Sequence, residues 1–189
     1  LSAGRCSQPG FSLAPPETGE SWDRVALATA GFSTAEEWQR EFGVWRTVRS
    51  VIWHDLEGYL SGALAHWNGT GAASAHLVIT RDGTIVLTVP IEHVSWHAGT
   101  NAQIGRTAFW KANNVNPYSI GVELEGFNSE PYTFGQRAGV GRVSRWVERV
   151  YGVPRVHTFD QIDGHHAHSE LSNQRSDPGP FFSWDWISA

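Results

Sequence analysis

His54 lies within the run Val51-Ile52-Trp53-His54-Asp55-Leu56-Glu57-Gly58. A distant segment, Gly164-His165-His166-Ala167-His168-Ser169-Glu170-Leu171 followed by Arg175-Ser176-Asp177-Pro178-Gly179-Pro180, supplies what one imidazole lacks. Together the two stretches offer two imidazoles and a carboxylate. Three nitrogen and oxygen ligands with one position left open make a catalytic zinc site. A structural zinc closes its coordination shell, usually with cysteines, and Cys6 is the only cysteine of this chain.

Such ligands need a scaffold, and its elements show in the pattern. Val48 to His54 is an apolar-rich run that reads as a buried strand ending at the metal. Gly58 breaks it, and Tyr59 to Trp67 reads as a helix with Leu60, Ala63, Leu64 and Trp67 on one face. Ser33-Thr34-Ala35-Glu36-Glu37 offers overlapping capping boxes, which predict a short helix over 34–42. Residues 75–80 and 84–89 flank Arg81-Asp82-Gly83, and Asp-Gly between apolar runs signals a hairpin. Ser95 to His97 reads as a short third strand, Thr107–Lys111 as a helical turn, and Ser119–Glu125 as a further strand. Val140, Val143, Val147, Val150 and Tyr151 recur at helical spacing, so 136–151 is an amphipathic helix stopped by Gly152 and Pro154. From Val156 onward the chain reads as mostly loop around the second half of the metal site. Residues 1–32, with a first stretch rich in Gly, Ser and Pro, form an arm or linker, and 33–189 form the folded domain. Strands alternating with helices predict an α/β fold with a single mixed central β-sheet flanked by helices.

Bulk properties narrow the class. A chain of 189 residues suits one domain, and 40% hydrophobic with 17% charged residues is an ordinary globular balance. A net charge of -5 gives no electrostatic case for nucleic acid. No apolar stretch approaches the roughly 18 residues of a membrane helix, so no membrane insertion is expected. A monomer is the expected state. Ten tryptophans exceed what packing alone asks for, and some are expected to meet a sugar ring or another amphipathic ligand. The chain starts at Leu1 and has no methionine, which reads as a processed or excised piece.

Five motifs in order carry a resemblance. They are Val51–Gly58; Ser74-Ala75-His76-Leu77-Val78-Ile79 with Asp82-Gly83; Trp96-His97-Ala98-Gly99; Asn116-Pro117-Tyr118-Ser119-Ile120-Gly121-Val122-Glu123-Leu124-Glu125-Gly126; and Asp177-Pro178-Gly179-Pro180 with Phe182 and Trp184. Over roughly 48–186 the chain resembles the zinc-dependent N-acetylmuramoyl-L-alanine amidases, which share the peptidoglycan-recognition-protein fold. The resemblance implies a Zn2+ cofactor, peptidoglycan as partner, and hydrolysis of the amide between N-acetylmuramic acid and L-alanine. A non-catalytic peptidoglycan-binding module is the alternative within the same fold, and a zinc amidase for another acyl-amide is a third reading.

By that resemblance His54 and Asp177 are zinc ligands. The second ligand stays open among His168, His165 and His166; His168-Ser169-Glu170-Leu171 fits the family's run best, and Gly164-His165 fits its Gly-His pair. Glu123 resembles the acid/base carboxylate, which takes a proton from water and returns it to the leaving nitrogen. Strand alternation puts Glu123 and Glu125 on one face, so geometry alone does not choose between them. Arg175 stands where related motifs carry a lysine and would stabilise the oxyanion, although its planar fork differs from an ammonium. His97 and Trp96 are implied substrate contacts, with Trp110 a further aromatic candidate, and His76 reads as structural. The expected setting is a secreted enzyme or a phage endolysin acting on the cell wall, in preference to a cytoplasmic recycling enzyme.

Overall fold

Val51, Ile52 and Trp53 are fully buried in the computed structural model, because the strand that carries them lies inside a sheet covered on both faces. The structure describes residues 23–24, 32–42, 46–70, 73–99, 114–159 and 161–189. The strands are β1 (Asp23–Arg24), β2 (Phe32–Ser33), β3 (Ser50–Asp55), β4 (Leu77–Ile79), β5 (Ile85–Leu87), β6 (Val94–Ser95), β7 (Ser119–Leu124) and β8 (Gly164–Ala167). The helices are α1 (Ala35–Phe42), α2 (Leu60–Thr70), α3 (Phe134–Tyr151), α4 (His168–Leu171) and α5 (Asp185–Ser188). Six strands form one sheet in the order β1-β5-β4-β7-β3-β8. Only the β4–β5 hairpin is antiparallel; every other neighbouring pair is parallel. This is the mixed sheet expected from the alternating pattern.

Alternation along β3 sorts the core. Val51 and Trp53 face α3 and pack with Val140, Val143 and Val147 and with Ile187 of α5. Ile52 points the other way, into a cluster with Ala98, Val115 and Leu171. On the hairpin, Val78 and Val86 pack with Trp67, Leu60, Ala63 and Leu64 of α2. Each fully buried aliphatic side chain contributes about 1.5–3 kcal/mol.

The helix termini follow their local signals. Thr34 and Glu37 exchange side-chain and backbone bonds of 2.8 and 3.1 Å at the start of α1, the reciprocal capping box that the sequence offers. Thr133 and Gln136 form a second such box at the start of α3, and Gly152 ends that helix at φ 71°. At the hairpin tip Gly83 sits at φ 91°, and a Cβ there would lie 2.6 Å from the Gly135 carbonyl oxygen, so only glycine fits both the turn and the approach of α3. Arg46 ties the start of β7 to the 91–93 turn: its Nε donates to the carbonyls of Ile91 and His93 at 2.9 and 2.7 Å, and its Nη2 to that of Ser119 at 2.8 Å.

Two expectations are refined. The tail beyond Val156 is mostly loop, and it also contributes the edge strand β8 and the short helices α4 and α5. Gly-His-His-Ala has no β-branched or alternating signal. It becomes a strand because the open edge of β3 gives its backbone partners from Ser50↔Gly164 to Trp53↔Ala167. The third strand lies at Val94–Ser95, one residue earlier than read and short of His97, and pairs antiparallel with β2 outside the main sheet. The turn expected at Thr107–Lys111, with Trp110, lies outside the described residues.

Candidate metal centre

His54 is the fifth residue of β3, and parallel pairing with β7 places it opposite Glu123. The same register aligns Ser50, Ile52 and His54 with Ser119, Gly121 and Glu123, so all six share the face away from α3. On the other side of β3, His166 is the partner of Ile52, and the chain then turns into α4 at His168. Residues 166 and 168 thus climb the same face, and His168 reaches the level of His54. His165 is one residue out of step. It points to the α3 face, stacks on Trp53 at a centroid distance of 5.8 Å, and accepts a 3.0 Å hydrogen bond from the Trp53 indole N–H. His166 Nε2 lies 3.1 Å from the Ile162 carbonyl oxygen. Of the three candidates for the second ligand, the fold brings His168 to His54 and Asp177 and turns His165 away.

The loop after α4 returns Asp177 to the same point. The Ser169 N–H donates to the Asp177 carbonyl at 3.0 Å, and the Tyr132 hydroxyl donates to the Pro178 carbonyl at 2.6 Å. His54 Nδ1, His168 Nδ1 and Asp177 Oδ2 then stand 3.0 Å from one another on all three sides. All three residues are buried, and among the described residues they are the one His/Cys/Asp/Glu group close enough to hold a metal ion. Bonds of about 2.0–2.1 Å from tetrahedral zinc set its ligands about 3.3 Å apart. The triangle is close to that size, and its donor set of two imidazoles and a carboxylate suits zinc with an open fourth position. The residues therefore fit the ion.

The triangle opens onto a cleft of about 470 Å³, whose wall includes Glu123, Trp96, His97 and Arg175. One Glu123 carboxylate oxygen, Oε2, is buried without a hydrogen-bond partner. Burial pushes the Glu123 carboxyl well above its usual range, and Asp177 and Asp55 nearby add to the effect. Burial, with His168 beside it, pulls His54 down to about 4, so its ring is neutral at pH 7, as a metal ligand must be. Burial also raises Asp55, to about 7. Glu125, two residues beyond Glu123, is committed elsewhere: its two carboxylate oxygens accept the backbone N–H groups of Leu60 and Arg81 at 3.0 and 2.9 Å. Trp96 is 38% exposed at the cleft, and Arg175 is exposed at its rim.

His97 is largely buried beside His54 in the cleft wall, with its Nδ1 3.0 Å from His54 Nε2 and its Nε2 3.0 Å from Ser119 Oγ. Sequence reasoning did not single out Ser119 or Asn116. The Asn116 side-chain oxygen accepts the N–H groups of His97 and Ala98 at 3.2 and 2.9 Å, and its amide donates to Gly99. Asn and Ser are turn-formers in any loop, so their types alone carry no signal of this role.

A mixed sheet under helices, with a metal-capable His-His-Asp triangle at the end of β3, defines an α/β protein with a candidate metal centre. The family model for N-acetylmuramoyl-L-alanine amidase matches residues 44–180, and the chain belongs to that family. A curated relative, 1,6-anhydro-N-acetylmuramyl-L-alanine amidase AmpD of Enterobacter cloacae, is 38% identical over 119 residues, 62% of this chain and 57% of that protein. The match thus spans little more than half of that relative's length. The crystal structure of a Se-Met AmpD derivative is similar with a TM-score of 0.67 at 23% identity, covering 88% of this chain and 92% of that one. The complex of the amidase AmiD from E. coli with the substrate anhydro-N-acetylmuramic acid-L-Ala-D-gamma-Glu-L-Lys is similar with a TM-score of 0.60 at 20% identity, covering 84% and 65%. At these identities the solved structures establish the fold. The relatives also correct one expectation: those of Enterobacter cloacae and Escherichia coli are named 1,6-anhydro-N-acetylmuramyl-L-alanine amidase AmpD, which stands against the secreted or wall-released setting read from the sequence.

Proposed function

We propose that this chain, with 33–189 as its catalytic domain, hydrolyses the amide bond between N-acetylmuramic acid and L-alanine in muramyl peptides derived from peptidoglycan. The observation that carries the reading is the 3.0 Å triangle of His54 Nδ1, His168 Nδ1 and Asp177 Oδ2 at the floor of a cleft that also holds Glu123. Family membership and the names of the relatives support the bond and the substrate class.

His54, His168 and Asp177 would hold zinc, which when bound acidifies water and polarises a carbonyl. The chain's own groups supply the rest. Glu123, half-buried and opposite His54 with its Oε2 buried and unpartnered, has a higher proton affinity than an exposed glutamate. It takes one from the attacking water and delivers it to the nitrogen of the departing L-alanine. Arg175, at the rim, places a fixed positive charge where the carbonyl oxygen becomes negative. Trp96 offers an exposed aromatic edge to the sugar or the peptide.

The test is cleavage of an anhydromuramyl peptide and of intact peptidoglycan, each with and without a chelator. Release of L-alanine amino termini without new reducing sugar ends, lost on chelation, is the expected result. A zinc-loaded protein that binds either material and releases nothing would establish the binding module instead.

A further inference from the structure

We propose that His97 is a positioning residue that fixes the tautomer of His54, through a chain of hydrogen bonds anchored on the Val115 carbonyl. The inference rests on the metal-centre reading above and adds a role that the His-His-Asp triangle does not reveal.

The direction of each bond follows from the one before it. A carbonyl only accepts, so the single Ser119 hydroxyl proton goes to Val115 O, 2.8 Å away. Ser119 Oγ therefore accepts from His97 Nε2, 3.0 Å away, and that nitrogen carries the proton. The His97 Nδ1 lone pair then accepts from His54 Nε2–H at 3.0 Å. His54 Nδ1 is left without a proton, and its lone pair points to His168 Nδ1 and Asp177 Oδ2. The opposite tautomer would place an N–H inside the triangle and block a cation.

The surroundings are built for this ring. A Cβ on Gly121 would lie 2.4 Å from His97 Cγ, so the glycine in the middle of β7 leaves the space that the imidazole fills. Gly121 lies between Ser119 and Glu123 on the same face, directly opposite Ile52. Asn116 fixes the backbone of the 97–99 turn from below. The rings of His54 and His97 meet edge to face at 86°, their centroids 5.2 Å apart. Outer partners that orient a ligating histidine typically change metal affinity 10–100-fold when removed.

The experiment has two parts. Nitrogen-15 NMR of the metal-free full chain reads the tautomers directly, with His54 and His97 each expected to be protonated at Nε2. A His54 protonated at Nδ1 overturns the proposal without any variant. Zinc affinity, measured by competition with a chelator, is expected to fall about 10–100-fold in Ser119→Ala and His97→Ala, with partial recovery in His97→Asn, whose side-chain oxygen can still accept from His54. Folded Ser119→Ala and His97→Ala proteins that bind zinc within about twofold of the parent overturn it as well. A parent that shows the expected tautomers but takes up no zinc sinks the metal-centre reading, a result separate from failure of the His97 chain.

Discussion

Glu123 on β7 is the register partner of His54 on β3, so one parallel pairing sets the proposed proton carrier beside a proposed metal ligand. The pairing runs unbroken from Ser50↔Ser119 to Asp55↔Leu124, and its strands are buried at nearly every position. The relation between the two groups therefore belongs to the sheet, not to a loop. Glu123→Gln keeps the shape and removes the proton transfer. Turnover should fall about 10²–10⁴-fold while zinc stoichiometry stays at the parent value. A variant that retains parent turnover would remove Glu123 from the mechanism.

Glu125 is the counter-case two residues on. Its carboxylate joins the first turn of α2 to the hairpin tip through Leu60 and Arg81. Glu125→Ala should lower unfolding free energy by about 1–3 kcal/mol, because two donors lose a charged acceptor. Turnover per folded molecule should stay near the parent's. Denaturant melts together with active-site titration separate the two effects, and a loss of turnover with unchanged stability would reverse the assignment.

Much of the scaffold could be read from the chain because its elements obey simple periods. The apolar run of β3, the Asp82-Gly83 hairpin and the valines of α3 each satisfy a local rule and a tertiary one. β8 does not. Its four residues carry two histidines where apolar side chains would normally sit, and only the backbone edge of β3 makes them a strand. The choice among His165, His166 and His168 hung on that strand, since a shift of one residue swaps the face that each imidazole meets. His97 shows the same limit. Its place in a Trp-His-Ala-Gly turn suggests proximity to the cleft, but its bonds to His54 and Ser119 join segments that are distant in sequence.

The passage from β8 into α4 makes a paired prediction. His168→Ala removes one corner of the triangle and should abolish stoichiometric zinc binding. His165→Gln lies on the opposite face, keeps an acceptor for the Trp53 indole N–H, and should leave zinc stoichiometry intact. Metal analysis of both purified variants after dialysis decides the matter. Zinc lost from His165→Gln and kept by His168→Ala would exchange their roles.

His165 also makes the fold sensitive to acid. Its ring is fully buried, its Nε2 has no hydrogen-bond partner, and it sits beside His166. Burial, followed by the neighbouring His166, pulls its pKa from 6.5 to about 3. Between those values the unfolded chain takes up a proton that the folded chain refuses, so protons favour unfolding. The contribution of the neutral ring is fully present above about pH 6.5 and is lost progressively as the pH falls towards 3, a change on the order of a few kcal/mol. His165→Gln cannot be protonated in either state. In metal-free protein, denaturant midpoints measured from pH 7 to pH 4 should fall less steeply for His165→Gln than for the parent. Chelation removes bound metal from both proteins, so the comparison isolates the side chain at position 165. Parallel curves would show that His165 takes up its proton in the fold as easily as in the unfolded chain.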